Sequence, residues 1–171
     1  MASSFNPVYP IARFKNTHKD GSTLSPMNAY NPYARQAETY KKNQIETATP
    51  EEILIMLYEG AIRFLLVAKK ADQEKNIEKY SKNIIKAQHI IREFMDSLDM
   101  EIGGEMALNL YRLYDYLHYR LVQANIKRDA TMIEEVVDHL RRLKGTWEEA
   151  ILIAKREREN EPDESEAPAS A

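Results

Sequence analysis

Cysteine is absent from the 171 residues, which removes disulfides, thiolate nucleophiles and thiolate metal sites together and fits a reducing compartment. Charge of one sign is also not in excess: 24 Lys and Arg stand against 27 Asp and Glu, for a formal net charge of −3. Such a balance provides no whole-molecule attraction to nucleic acid or to an anionic membrane. The longest apolar run, residues 53 to 68, is interrupted by Glu59, Gly60 and Arg63 and falls short of the roughly 20 residues of a bilayer span. Membrane insertion is therefore not expected. The opening "MASSFNPVYPIARFKNTHKDG" lacks a charged segment followed by an apolar one, so it does not read as a secretory signal and the expected location is cytoplasmic. Proline does not occur between Glu51 and Glu161, and that absence leaves long helices free to form.

What is present divides along the chain. Residues 1 to 26 mix Ser, Pro, Asn, Gly and charges without a period, and the closing "NEPDESEAPASA" is acidic and poor in apolar groups. Both are expected to be disordered, because neither buries enough apolar area to offset ordering entropy. Residues 27 to 48 form an arm, residues 49 to 158 a four-helix bundle and residues 159 to 171 an acidic tail. In the arm, Asn31 followed by Pro32 opens a short helix, and Tyr30, Tyr33, Tyr40 and Ile45 supply apolar bodies for a cap.

The first bundle helix should start after Thr49, with Pro50 at its first position and Glu52 completing a capping box, and run to about Gln73. The second carries Ile77, Tyr80, Ile84, Ala87, Ile91, Phe94 and Leu98 on one stripe, and Gly103 and Gly104 end that hairpin. The third spans about 104 to 128. The fourth has Ile133, Val136, Leu140, Leu143, Trp147, Ala150 and Ala154 on its stripe, with Thr131 and Glu134 as a second capping box. Short connections imply an all-α, antiparallel up-down four-helix bundle.

Helices one and three carry more apolar surface than one seam needs. Helix one has a core stripe of Leu54, Leu57, Ala61, Phe64, Ala68 and Ala71, and a second stripe of Ile55, Tyr58, Ile62 and Leu65. Helix three has Leu110, Tyr114, Leu117, Leu121 and Ala124, and then Leu108, Tyr111, Tyr119, Val122 and Ile126. Burial between two neighbouring helices would account for a wide apolar arc. Leaving four or five such side chains wet would instead forgo on the order of 10 kcal/mol, so a cover is expected wherever the bundle supplies none. Three covers fit: the N-terminal arm, a second copy in a homodimer, or another polypeptide laid in a groove as an amphipathic helix.

No catalytic constellation emerges, so no enzyme is expected. A bundle di-iron site needs Glu-x-x-His on facing helices. Of His18, His89, His118 and His139, only His118 has an acid three residues earlier, Asp115. Neither metal nor cofactor is expected. The "DHLRRLKG" stretch resembles histidine-phosphotransfer domains, but there Lys and Gly follow three and four residues after the His. Here Lys144 and Gly145 lie five and six after His139, on other faces of the helix.

The region from Met27 to Ile153 resembles the FliS family, the flagellin-specific export chaperones of bacterial flagellar assembly. The most specific element is "IETATPEEILIMLYEGAIRFL", an Ile, a small-Thr-Pro cap and an apolar helix containing Leu-Tyr-acidic-Gly-Ala. Asn31 to Tyr33, the cluster from Leu113 to Tyr116, "QANIKRD" from Gln123 to Asp129, and Trp147 with Glu148 and Ala150 support it. The resemblance implies a non-enzymatic chaperone that binds the disordered C-terminal segment of flagellin and prevents its polymerisation in the cytoplasm. It also implies delivery of flagellin to the flagellar type III export apparatus, with export gate components as further partners. By position it implies a flagellin-binding groove of Ile45, Ile55, Tyr58, Ile62, Tyr111, Tyr119, Val122 and Asn125, which Leu65 of the second stripe joins. It further implies that Tyr30, Tyr33 and Tyr40 of the arm cap part of that groove when no client is bound.

Overall fold

A computed structural model describes residues 47–160. The arm residues Tyr30, Tyr33, Tyr40 and Ile45, the leader and the tail beyond Asn160 lie outside the described residues. Within them are α1 (Pro50–Gln73), α2 (Ile77–Asp96), α3 (Met100–Lys127) and α4 (Ala130–Asn160), with no strand among the described residues.

Local chemistry sets where each helix begins. The α1 capping box forms as expected: the Thr49 hydroxyl accepts the Glu52 N–H at 3.2 Å, and the Glu52 carboxylate accepts the Thr49 N–H at 2.9 Å, which satisfies two orphan donors reciprocally. Asn76 caps α2 by accepting the Lys79 N–H at 3.0 Å. α3 begins four residues before the position expected from its glycines, because the Asp99 carboxylate accepts the N–H groups of Glu101 and Ile102, each at 2.9 Å. Gly104 then lies inside the helix as a kink at φ 50, ψ −128, a region that only glycine adopts without strain. The expected Thr131–Glu134 box is not the start of α4. Asp129 accepts both the N–H and the hydroxyl of Thr131, at 2.9 and 2.6 Å, and the helix already begins at Ala130.

Cross-helix contacts set the directions. Glu51 near the start of α1 meets Arg158 near the end of α4 at 3.7 Å, and Lys69 near the end of α1 pairs with Glu134 at the start of α4. Tyr80 near the start of α2 donates its hydroxyl to the Ala124 carbonyl late in α3 at 2.8 Å, and Arg120 of α3 pairs with Glu135 of α4. Each helix packs on the one before and the one after it, and α1 also closes on α4. The result is the antiparallel up-down bundle, with α1 and α3 on opposite corners.

Each helix contributes one aromatic side chain to the centre: Tyr58, Phe94, Tyr114 and Trp147. The Phe94 ring stacks on Tyr58 at 4.4 Å and on Tyr114 at 5.3 Å between centroids. The two phenols share a hydrogen bond of 2.5 Å, and the Trp147 indole N–H donates to the Tyr58 oxygen at 3.0 Å. Above and below, Leu65, Ile84, Ile91, Leu117, Leu121, Ile133, Val136 and Leu140 are fully buried. α1 and α2 lie side by side at Gly60, where a Cβ would meet the Ile90 side chain at 3.4 Å, an ordinary van der Waals contact.

The core stripe of α1 is rotated from the one read from spacing. Tyr58 and Leu65 are 0% exposed, while Leu57 and Phe64, expected inside, are half-buried. Ile77 is exposed at the first turn of α2, and Leu98, Leu110, Leu143 and Ala150 are half-buried. Phe94 bridges both tyrosines, so Phe94→Ala is expected to cost about 3–5 kcal/mol. Urea denaturation followed by far-UV circular dichroism measures it.

Candidate functional site

The flank between α1 and α4 is open. Two adjoining basins lie along it, of about 610 and 530 Å³. The first has an apolar floor of Ile62, Leu66 and Val67 and a charged rim that includes Arg63, Lys70 and Arg141. The second has Ile55, Met56 and Ile151, with Glu51, Glu52 and Lys155 at its edge. Glu148 of α4 lines both basins, and Lys144, on the wall of the first, pairs with it at 3.0 Å and with Glu59 across the groove at 3.1 Å. Both carboxylates raise the Lys144 pKa, Glu148 more than Glu59. One apolar track is thus divided by an ion-pair strap.

Of the residues expected to line a groove, Ile55 and Ile62 do so. Tyr58 and Leu65 do not, because their side chains point into the core. Spacing misplaced them since Tyr58 and Leu65 each lie on the boundary between two seven-residue stripes, and the bundle had to choose one. Missed by sequence reasoning are Met56, Leu66 and Val67, of which Leu66 is 44% exposed. The signal was present: Met56 lies three residues before Glu59, Leu66 four after Ile62 and Val67 four after Arg63, so each shares a side of the helix with another lining residue.

On the opposite corner α3 carries the other expected residues. Tyr119 is 56% exposed and Ile126 72%, Tyr111 and Leu108 are exposed, and Val122 and Asn125 are half-buried. The fold therefore keeps the α1 and α3 stripes apart, as two tracks on different flanks. The Asn125 side-chain oxygen is buried without a hydrogen-bond partner among the described residues. His118, which burial and then Arg92 hold below the usual imidazole range, is half-buried on the same helix. Tyr116 donates to Glu135 at 2.5 Å and Arg120 pairs with the same carboxylate. These contacts lower the Glu135 pKa, the Tyr116 hydrogen bond contributing most, and fix α3 to α4.

Among the described residues no three His, Asp or Glu side chains are grouped to hold a metal ion. His139 meets Tyr116 edge-on at 6.5 Å, and Lys144 is committed to two carboxylates. No described helix is long and apolar enough to cross a membrane.

This arrangement defines a class: an all-α bundle with an apolar surface track on each of two corners. The sequence profile described as Flagellar protein FliS matches residues 33–154. The flagellar secretion chaperone FliS of Bacillus subtilis is 37% identical over 132 residues, which cover 77% of this chain and 95% of that protein. The proteins of the same name from Vibrio cholerae and Salmonella typhimurium are 37% and 34% identical, over 66% and 74% of this chain and 85% and 90% of their own lengths. The chain belongs to the FliS family, a family of flagellar secretion chaperones and not of enzymes.

The buried phenols make the bundle sensitive to alkali in one direction. Burial pushes the Tyr58 hydroxyl far above the usual phenol range, with Tyr114 adding to it, and burial likewise raises Tyr114. A group with a raised folded-state pKa stabilises the fold fully below its unfolded value of about 10 and loses that contribution as pH rises beyond it. As far as these two groups are concerned, stability should therefore be constant with pH below that value and fall above it. Phenolate absorbance of Tyr58 and Tyr114 should appear only with cooperative unfolding, and a spectrophotometric titration beside circular dichroism tests this.

Proposed function

We propose that this protein is a cytoplasmic export chaperone that binds the disordered C-terminal segment of flagellin, keeps it from polymerising and presents it to the flagellar type III export apparatus. The observation that carries the reading is the open apolar track along α1 and α4, in a chain of the FliS family. A disordered client that orders on binding loses several kcal/mol of conformational entropy. A long track with apolar floors at two levels offsets that loss, and the exposed α3 stripe gives a client chain that wraps the bundle a second surface. Ile55 and Ile62, with Leu66, hold one part of the client; Tyr111, Tyr119, Val122 and Asn125 hold another. Asn125 accepts a client hydrogen bond in this reading. Tyr30, Tyr33, Tyr40 and Ile45 of the arm cover part of the track in the client's absence, so that arm and client exchange and only the difference in burial sets the affinity. Export gate components then receive the loaded complex.

Mixing the full chain with a peptide of the flagellin C-terminal segment should give a one-to-one complex and a gain in helical circular dichroism. Ile62→Asp should weaken it at least tenfold, about 1.4 kcal/mol or more, without loss of the free protein's helix signal. Absence of a complex at tens of micromolar defeats the proposal.

A further inference from the structure

The corner where α2 passes into α3 shows apolar side chains that belong neither to the core nor to the α1–α4 basins. Met100 is exposed, and Ile102 and Met106 are 57% and 59% exposed. Spacing alone would extend the α3 stripe of Tyr114, Leu110 and Ala107 back through Gly103 to Met100. The kink at Gly104, φ 50 and ψ −128, breaks that register. The Asp99 carboxylate holds the displaced first turn through the Glu101 and Ile102 N–H groups, and Met100 stays outside the core.

Charge around this apolar patch is of one sign. Glu93, Asp96, Asp99, Glu101 and Glu105 fall in a stretch, from Glu93 to Tyr111, that has no Lys or Arg. None of the five is in an ion pair among the described residues. The complementary occupant is therefore both apolar and basic. A second copy of the corner would bring acid against acid, and the tail beyond Asn160 has the same sign. The arm mixes Glu38 and Glu46 with its cations. Residues 5–19 of the leader, "FNPVYPIARFKNTHK", meet both requirements: Phe5, Val8, Tyr9, Ile11 and Phe14 stand with Arg13, Lys15 and Lys19, and no acid is among them.

We propose that residues 5–19 dock on the α2–α3 corner of their own chain, covering Met100, Ile102 and Met106, with Arg13, Lys15 and Lys19 against its carboxylates. Reach permits this. The described chain begins at Thr47, just before α1, and Tyr58 of α1 stacks on Phe94 of α2 at 4.4 Å, so the start of α1 and the α2–α3 corner share one end of the bundle. The roughly 28 residues from Lys19 to Thr47 would span about 30 Å as a random chain, against a spacing of about 10 Å between neighbouring helices. Attachment in cis gives an effective concentration on the order of millimolar, so a weak contact suffices. The family profile begins at residue 33, and the docking segment precedes it. Neither the α1–α4 track nor Tyr111, Tyr119, Val122 and Asn125 take part, so the docking stands apart from the flagellin reading.

Because the chain has no cysteine, a nitroxide on Ser4→Cys in the full chain labels a single site. In a spectrum of methyl-labelled methionines it should remove most of the Met100 and Met106 signal and leave Met132, near the start of α4 at the other end of the bundle, sharp. Adding Arg13→Glu, Lys15→Glu and Lys19→Glu should restore both signals, with unchanged circular dichroism. Adding Glu101→Lys and Glu105→Lys to that variant should broaden them again, because base then faces acid in the reverse sense. Mixing the nitroxide-bearing chain with a methyl-labelled chain that lacks the nitroxide should leave every signal sharp, and broadening there overturns docking in cis. Equal intensity at Met100, Met106 and Met132 overturns the proposal, as does broadening that survives the leader's charge reversal or does not return in the charge-swapped chain. Broadening centred on Met56 puts the segment on the α1–α4 track and overturns it as well.

Discussion

The contact on which the bundle depends is the stack of Tyr58 on Phe94 on Tyr114, joined to Trp147 through the Tyr58 hydroxyl. It takes one side chain from every helix, so no helix can rotate or slide without breaking a ring contact or a buried hydrogen bond. Aromatic side chains bring large apolar area, but a phenol or an indole must also find a polar partner when buried. Here the three polar groups satisfy one another, and an arrangement that only packed the rings would leave buried donors costing about 1–3 kcal/mol each. The polar contacts therefore select one register among several that apolar burial alone would accept.

That choice of register determines what is left outside. With Tyr58 turned inward, Leu65 two turns later follows it, and Leu57 and Phe64 move to the half-buried edge of the core, Phe64 under Lys86 of α2. Ile55, Ile62 and Leu66 are then turned toward α4, where the two helices leave an open track instead of a filled seam. Surface ion pairs such as Lys144 with Glu59 and Arg158 with Glu51 are worth little individually, but they fix the height at which α4 lies beside α1. The proposed client track is thus a product of that constraint in the core.

Much of this was legible beforehand. Thr49, Pro50 and Glu52 mark a helix start by chemistry that acts within one turn, and the end at Gln73 follows from the loss of pattern. The stripe of α2 was read correctly from Tyr80 through Ile84, Ala87 and Ile91 to Phe94, and failed at its two ends, where Ile77 is exposed and Leu98 is half-buried. The failures have local causes. A cap competes with its neighbours, so Asp129 displaced Thr131 and Asp99 displaced the glycines as the start of α3. In α1 two apolar stripes adjoin, and helical spacing ranks neither above the other.

The sequence by itself determined the helices, their order and their antiparallel arrangement, because caps, connections and single apolar stripes act over a few residues. The lining residues quoted for the family were legible as names but not as positions: Ile55 and Ile62 line the track, and Tyr58 and Leu65 of the same stripe hold the core. Only the tertiary structure decided between them. A double-striped helix has two nearly equal ways to turn, and the difference lies in partners on three other helices, Phe94, Tyr114 and Trp147, which no pattern within α1 contains.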